Sequence, residues 1–330
     1  MSKLRLGLIG AGIAARDLHG PVIKALSDRY QVVAICSRTL EKARSLADWY
    51  GGEMGIYADY QEMLLRESVD AAVVAVPIAL NLPVTRACVK AGLHVFLEKP
   101  IGANLKEGEE VLALAERRAV TLFIAENYRF RPDLRLARRL VEEGNIGRLG
   151  LIRWNDVRLM RPDNKSVQTP WRRNPIHIGG FLSDAGVHVA AGMRLLGGPV
   201  NRVQAVSTTM QPYLGGQDTL LINLTFASGA IGQITFCRGG LDYEARCPRL
   251  YGDRGTLVVD RDHVDVWQHD GVRRAEPVTG LDDFTAEFIA FHESVVQGDT
   301  SPDSAQEAFK DLLLIDAAIR GAASGATVEI

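Results

Sequence analysis

Two hydrophobic periods alternate along residues 1–126. Leu4-Arg5-Leu6-Gly7-Leu8-Ile9 and Gln31 to Cys36 are apolar runs of strand length. Helical stretches follow them, up to about Ser27 and over Thr39 to Tyr50. After Ile56-Tyr57 and a short helix, Val69 to Val76 (VDAAVVAV) is apolar without alternation, the pattern of a strand covered on both faces. A helix over Leu82 to Ala91, the strand His94-Val95-Phe96-Leu97, a helix over Leu105 to Arg118 and a strand over Val120 to Ala125 complete the series. Strands and helices alternating through such short connections predict βαβ units and a parallel sheet.

From residue 127 the pattern changes. Leu149 to Val157, Val200 to Met210, Thr219 to Phe226, Ala230 to Cys237, Glu244 to Tyr251 and Gly255 to Val259 all read as strands. Turns such as Ala227-Ser228-Gly229 are too short to hold a helix and imply antiparallel neighbours. Helices are expected over Leu182 to Leu196, about 282–297 and 303–322. The predicted architecture is an α/β doubly wound parallel sheet over 1–126, followed by an α+β domain over 127–330. The second domain carries a large, mostly antiparallel open sheet, and its C-terminal helices are able to pack back on the first. Neither internal repeats nor a low-complexity linker interrupt this order.

Composition narrows the class. At 330 residues two domains are the default, and 47% hydrophobic with 24% charged residues is ordinary globular usage. A formal net charge of −2 argues against a nucleic-acid binder. The opening MSKLRLGLIGAG is too short and glycine-rich for a signal peptide, and no apolar run approaches a membrane span. Cys36, Cys88, Cys237 and Cys247 lack CxxC spacing, so buried reduced thiols are expected rather than a metal site. The protein is therefore expected in the cytoplasm.

The candidate chemistry begins directly after the first strand. Gly10-Ala11-Gly12-Ile13-Ala14-Ala15 is G-x-G-x-x-A: a tight turn, a backbone able to approach a pyrophosphate, and a small residue where helix packs on strand. A dinucleotide is the expected ligand, with S-adenosylmethionine as the competitor. The second strand ends in Cys36-Ser37-Arg38-Thr39 and not in the acid that would hold a ribose 2′-hydroxyl. A hydroxyl followed by a guanidinium suits a 2′-phosphate, although a surface arginine at a helix start has the same appearance. HVFL then runs into Glu98-Lys99-Pro100, where proline has no N–H for a sheet ladder. An ordinary strand exit looks like this too. If HVFL is the fifth parallel strand, however, Glu98 and Lys99 stand on the edge where open α/β sheets bind ligands.

Residues 91 to 100, AGLHVFLEKP, match throughout the A-G-x-H-V-x-x-E-K-P signature of the Gfo/Idh/MocA oxidoreductases, and the chain resembles that family. Gly179-Gly180-Phe181-Leu182-Ser183-Asp184-Ala185-Gly186-Val187-His188 resembles its G-G-x-x-x-D-x-G-x-H element. Asn127-Tyr128-Arg129-Phe130 with Pro132, and Gly144-Asn145-Ile146-Gly147, agree with it as well. The resemblance spans nearly the whole chain. It implies a nicotinamide cofactor held by Gly10, Gly12, Ile13, Ala14, Ser37, Arg38, Pro77, Asn81, Glu98 and Lys99; the Ser37-Arg38 pair and the missing acid make NADP(H) the preferred form, with NAD(H) the alternative. It also implies a cis Lys99–Pro100 bond and catalysis by Lys99, Asp184 and His188. One departure stands out: Val76-Pro77-Ile78-Ala79-Leu80-Asn81 occupies the place of T-P-N-x-x-H, so Asn81 replaces histidine and Ile78 asparagine.

Asp184 and His188 are four apart, on one face of a helix. Without the resemblance they could be a satisfied core pair; with it they face substrate. His188 is the expected acid/base and protonated Lys99 the group that stabilises the substrate oxygen. Asp184 orients His188 or accepts a substrate hydroxyl, and Glu98 pairs with Lys99 or faces away. Relatives act on sugars, inositols, sugar acids and related polyols. The pocket candidates are Asn127, Tyr128, Arg129, Asn155, Arg158, Trp171 and Arg172. Residues 153–173 hold five arginines and one lysine against Asp156 and Asp163, which suits an anionic substrate and equally a solvated loop with subunit contacts. Two rivals to a dehydrogenase are a redox-neutral glycosidase that uses nicotinamide transiently and a non-catalytic nicotinamide sensor. An uncovered sheet face suggests homodimers or homotetramers.

Overall fold

The computed structural model describes residues 3–116, 120–242, 247–298 and 305–330. The chain divides into two compact units, Met1–Glu126 with Phe284–Phe309 and Asn127–Asp283 with Lys310–Ile330.

The first unit is built on six parallel strands: β1 (Leu4–Ile9), β2 (Tyr30–Cys36), β3 (Gly55–Tyr57), β4 (Ala71–Val74), β5 (His94–Glu98) and β6 (Leu122–Ala125). Their order is β3-β2-β1-β4-β5-β6, so the chain winds outward from β1, returns, and continues on its other side. That reversal between β1 and β4 is the point where such sheets bind ligands, outside the strands' carboxyl ends. All four residues of β4 are buried, the reason its sequence lacks alternation; it is shorter at both ends than the run Val69 to Val76. The connecting helices are α1 (Gly20–Ala25), preceded by a π-helical segment over Ala14–His19, α2 (Leu40–Tyr50), α3 (Tyr60–Arg66), α4 (Asn81–Lys90) and α5 (Leu105–Glu116). The predicted end of α5 at Arg118 lies outside the described residues.

This sheet draws on a distant piece of chain. Phe288 stacks on Phe96 of β5 with ring centres 4.3 Å apart, Phe291 meets Phe123 of β6 edge-on at 5.7 Å, and the Tyr30 hydroxyl donates to the Phe288 carbonyl. Each buried phenylalanine contributes about 1.5–3 kcal/mol by leaving water.

In the second unit a nine-stranded sheet runs in the order β14-β13-β12-β11-β7-β10-β9-β8-β15. Its strands are β7 (Leu149–Val157), β8 (Val200–Thr208), β9 (Thr219–Phe226), β10 (Ile231–Cys237), β11 (Arg249–Gly252), β12 (Gly255–Val259), β13 (His263–Gln268), β14 (Arg273–Pro277) and β15 (Val328–Glu329). Every pairing is antiparallel except β7 with β10. Residues 244–246 of the predicted strand to Tyr251 lie outside the described residues. β13 has a readable alternation, Val264 and Val266 buried between more exposed neighbours, whereas β14 (RRAEP) carries no apolar stripe to betray it.

Register sorts the two faces of this sheet. Trp154, Ile234 and Ile222 are cross-strand neighbours on the buried face, and Asn155, Thr235, Leu221 and Val206 form the adjacent row on the other. The buried face packs on α8 (Phe181–Gly197), where a Cβ added at Gly192 would lie 2.5 Å from the Trp154 ring. Along the opposite face Val206, Leu221 and Ile231 are exposed. The remaining helices are α6 (Pro132–Glu142), α7 (Pro170–Arg173), α9 (Asp283–Gln297) and α10 (Ala305–Ser324), with the predicted start of α10 at 303–304 outside the described residues.

Candidate active site

The turn after β1 is forced by geometry. Gly10 has φ +109°, and a Cβ there would sit 2.1 Å from the Ala75 carbonyl oxygen of the adjoining strand exit, so no other residue fits. Gly12 differs: a Cβ would meet nothing within 4 Å. That open space over the backbone is what a pyrophosphate needs, and Ile13 and Ala14 then lead into helix while Ala15 is buried against the sheet. These residues fit a dinucleotide. At the end of β2, Ser37 Oγ accepts from Thr39 N at 3.3 Å and the Arg38 side chain is exposed. Burial, with the charge of Asp59, pushes the Cys36 thiol beside them up to about 11, so it stays protonated at neutral pH.

Lys99 follows the last residue of β5, and its peptide bond to Pro100 is cis. Two side chains hold the backbone around it. Asn81 opens α4, is 1% exposed, and donates from Nδ2 to both Glu98 O (3.1 Å) and Pro100 O (2.8 Å). Asn81, expected to touch the cofactor, directs its amide N–H groups at the carbonyls flanking Lys99. Pro77, at the exit of β4, accepts from Leu80 N in the turn leading to α4. Glu98 reaches His19, with Oε1 2.7 Å from Nε2. His19 is 1% exposed and ringed by the edges of Phe96, Phe284 and Phe288. Sequence reading missed it: a lone histidine at the end of the loop's helix looks like core until β5 is set beside it.

The second cluster belongs to the other unit. Gly179 and Gly180 take φ +63° and +53° before α8, and a Cβ at Gly179 would fall 2.4 Å from the Ile319 side chain. Asp184 and His188 follow on the helix. Asp184 is buried and accepts from Arg172 Nε at 2.6 Å, a partner the spacing did not suggest. His188 is half-buried and stacks on Tyr128, with ring centres 4.9 Å apart and planes at 22°. Tyr128 in turn stacks on Trp154 and accepts from Arg158 Nη2 at 3.0 Å.

Several arginines of this region are bound to carboxylates, whereas Arg173 donates to the Val167 carbonyl and to Gln168 Oε1. Asp156 takes Arg158 Nε on Oδ1 at 2.7 Å and Arg238 Nη2 on Oδ2 at 2.6 Å. Burial alone would raise the Asp156 carboxyl, but the two guanidiniums outweigh it and hold it below the usual carboxylate range. Arg129 is buried on Asp311, which Arg194 shares, and Asn127 donates to Asp283 at 2.8 Å. Arg172 lies over the Trp171 ring at 4.0 Å. One pocket candidate is displaced: Asn155 lies on the open face of the sheet, opposite the face that packs on α8, because a strand turns successive side chains to opposite sides. Among the described residues no group of three or more His, Cys, Asp or Glu could hold a metal ion. No described helix is long and apolar enough to cross a membrane.

Comparison with known proteins agrees with this geometry. Residues 4–126 match the GFO_IDH_MocA family model, an oxidoreductase family with an NAD-binding Rossmann fold, and residues 138–330 match the family's C-terminal alpha/beta domain. An oxidoreductase of Thermotoga maritima has a similar crystal structure, with TM-score 0.93 and 35% identity, covering 99% of this chain and 98% of that one. The uncharacterized protein YMR315W of Saccharomyces cerevisiae is 31% identical over 98% of this chain and 97% of its own. D-xylose 1-dehydrogenase (NADP(+)) 2 of Haloferax volcanii is 30% identical over 99% and 100%. With both family models matched in order along one chain, the protein belongs to the Gfo/Idh/MocA family and is a nicotinamide-dependent oxidoreductase.

Proposed function

We propose that this oxidoreductase interconverts a secondary alcohol and a ketone on a sugar, an inositol or a related polyol. The carrying observation is Lys99, at the carboxyl end of β5, on the same sheet edge as the open loop at Gly12. When bound, the nicotinamide supplies the hydride acceptor or donor. His188 takes the hydroxyl proton during oxidation and returns it during reduction, the role suited to an imidazole, whose ring nitrogens can accept and donate a proton. Lys99 donates to the substrate oxygen and stabilises its growing negative charge. At about 4 Å and an effective dielectric near 20 this is worth about 4 kcal/mol before desolvation. Asp184, through Arg172, ties α7, which carries Trp171, to the first turn of α8.

An uncharged substrate fits this region better than a sugar acid. Arg129, Arg158 and Arg172 each already meet an aspartate. An anionic substrate would have to compete with those carboxylates or add to them. NADP(H) is the preferred cofactor in this reading: Arg38 is exposed and the 36–39 stretch holds no acid to repel a 2′-phosphate. The Haloferax relative is itself named for NADP(+). We further propose a cytoplasmic homodimer or homotetramer joined through the open sheet face, where Val206, Leu221 and Ile231 are exposed.

Nicotinamide absorbance, followed over a panel of neutral polyols, aldoses and sugar acids with each cofactor, tests the reading. Net reduction of NADP+ by a neutral polyol or aldose is expected. Glycoside cleavage without net cofactor change would mean a redox-neutral enzyme, and turnover confined to sugar acids would overturn the substrate class.

A further inference from the structure

We infer that Tyr128 is a positioning residue for His188: its ring is the plane against which the imidazole is set. The inference rests on the acid/base role of His188 proposed above.

Helix α8 fixes the backbone of His188 but leaves its ring orientation open, because the second side-chain torsion of histidine has broad, roughly two-fold wells. Proton transfer does not tolerate that freedom. Reacting atoms must stand about 3–3.5 Å apart and aligned, and a misplacement of about 1 Å costs about a hundredfold in rate. A neighbour that lies flat on the imidazole removes the excess orientations, and Tyr128 does so at 22° and 4.9 Å.

Tyr128 is itself held from several directions. It belongs to a tight turn over Asn127–Arg129 and is 7% exposed. Trp154 stacks on it with ring centres 6.0 Å apart and planes at 17°. Trp154 is 2% exposed and packs against Gly192 of the same helix that carries His188. The Arg131 guanidinium lies 4.7 Å from the Tyr128 ring centre, and Arg131 is paired with Asp133. The phenol oxygen accepts from Arg158, which Asp156 and, through it, buried Arg238 hold in place. A ring confined this way offers its neighbour a rigid face; its hydroxyl is occupied by a guanidinium that can only donate. Tyr128 thus passes from a candidate substrate contact to the support of the acid/base.

Four variants and one wild-type measurement decide it. Tyr128→Phe keeps the ring and loses the Arg158 bond; kcat should stay within about threefold. Tyr128→Leu and Tyr128→Met keep apolar bulk and lose the plane. For these kcat should fall about thirty- to hundredfold while KM and nicotinamide Kd stay within about twofold. In the wild type, the His188 ring protons should show ring-current shifts and through-space NMR contacts to Tyr128 that persist in the Phe variant and vanish in the other two. Wild-type kcat in a folded Leu or Met variant would overturn the inference. So would equal losses in Phe and Leu, or an absent His188–Tyr128 contact in the wild type. His188→Ala separates the readings: if it turns over normally, the acid/base assignment fails, whereas the NMR contact reports on the stack regardless.

Discussion

Lys99 and His188 are held by different means. Around Lys99 the support is main-chain: a strand end, with one asparagine amide tied to the carbonyls on either side and a neighbouring glutamate anchored on buried His19. Around His188 it is side-chain: a helix sets the position, a stack of rings sets the plane, and Asp156, shared by two arginines, holds the Arg158 that meets Tyr128. The first arrangement centres on a contiguous strand end, with Asn81 and His19 brought to it from earlier in the chain, and the second is scattered over more than a hundred positions. A backbone-held group moves only if the strand moves. A side-chain-held group depends on the rings stacked against it, so mutations within that stack should couple more widely.

The sharpest way to break this comparison is to remove each group outright. His188→Ala should lower kcat by about two to four decades with nicotinamide Kd unchanged, since general acid–base transfer carries that much. Lys99→Met should cost about two to three decades, also without loss of cofactor affinity. If steady-state kinetics and cofactor titration show either variant turning over normally, its half of the comparison collapses.

The support of the second cluster can be tested by pH. Asp156 has a depressed folded pKa, so the stability it contributes is present above its unfolded pKa of about 3.9 and is lost as pH falls through the folded value. Asp156→Asn should destabilise the protein by about 3 kcal/mol at pH 7, because Arg238 is left buried without its carboxylate. The gap should narrow in denaturant melts taken progressively below about pH 4. A gap that stays constant with pH would show that the Arg158–Asp156–Arg238 charges do not matter.

Two smaller effects probe the first cluster. Arg38→Ala should weaken NADP(H) by about one to two decades, equivalent to about 1.5–3 kcal/mol, and leave NAD(H) nearly untouched. Retained discrimination in paired titrations would exclude Arg38 as the 2′-phosphate partner. Asn81→Asp keeps the shape but removes both donors to Glu98 O and Pro100 O; kcat should drop by about tenfold while cofactor Kd holds. A change confined to cofactor Kd would return Asn81 to the cofactor site.

Much of this was readable from residue order. G-x-G-x-x-A after a strand, apolar runs in βαβ rhythm and the contiguous EKP element announce a Rossmann sheet and a lysine at its ligand edge. Each is a local pattern whose meaning depends on a few neighbours. The spacing of Asp184 and His188 placed them on one helix for the same reason, whereas their proposed role came from the resemblance. His19 was not, because its partner lies 79 residues away. Nor was the fate of the arginines: charge could be counted along residues 153–173, but only the fold brings Arg238 to Asp156 and Asp311 to Arg129.

Local periodicity, turn chemistry and short motifs are short-range constraints, so they survive in the linear order, and they carried the first sheet, its phosphate loop and the shared helix of Asp184 and His188. Packing is a long-range sum. It alone set Asn155 on the open face by strand register, joined Phe284–Phe309 to the first unit through aromatic burial, and laid Tyr128 flat on His188. Hydrophobic contact and stacking have no preferred separation along the chain. Their partners are chosen only once the elements have been brought together.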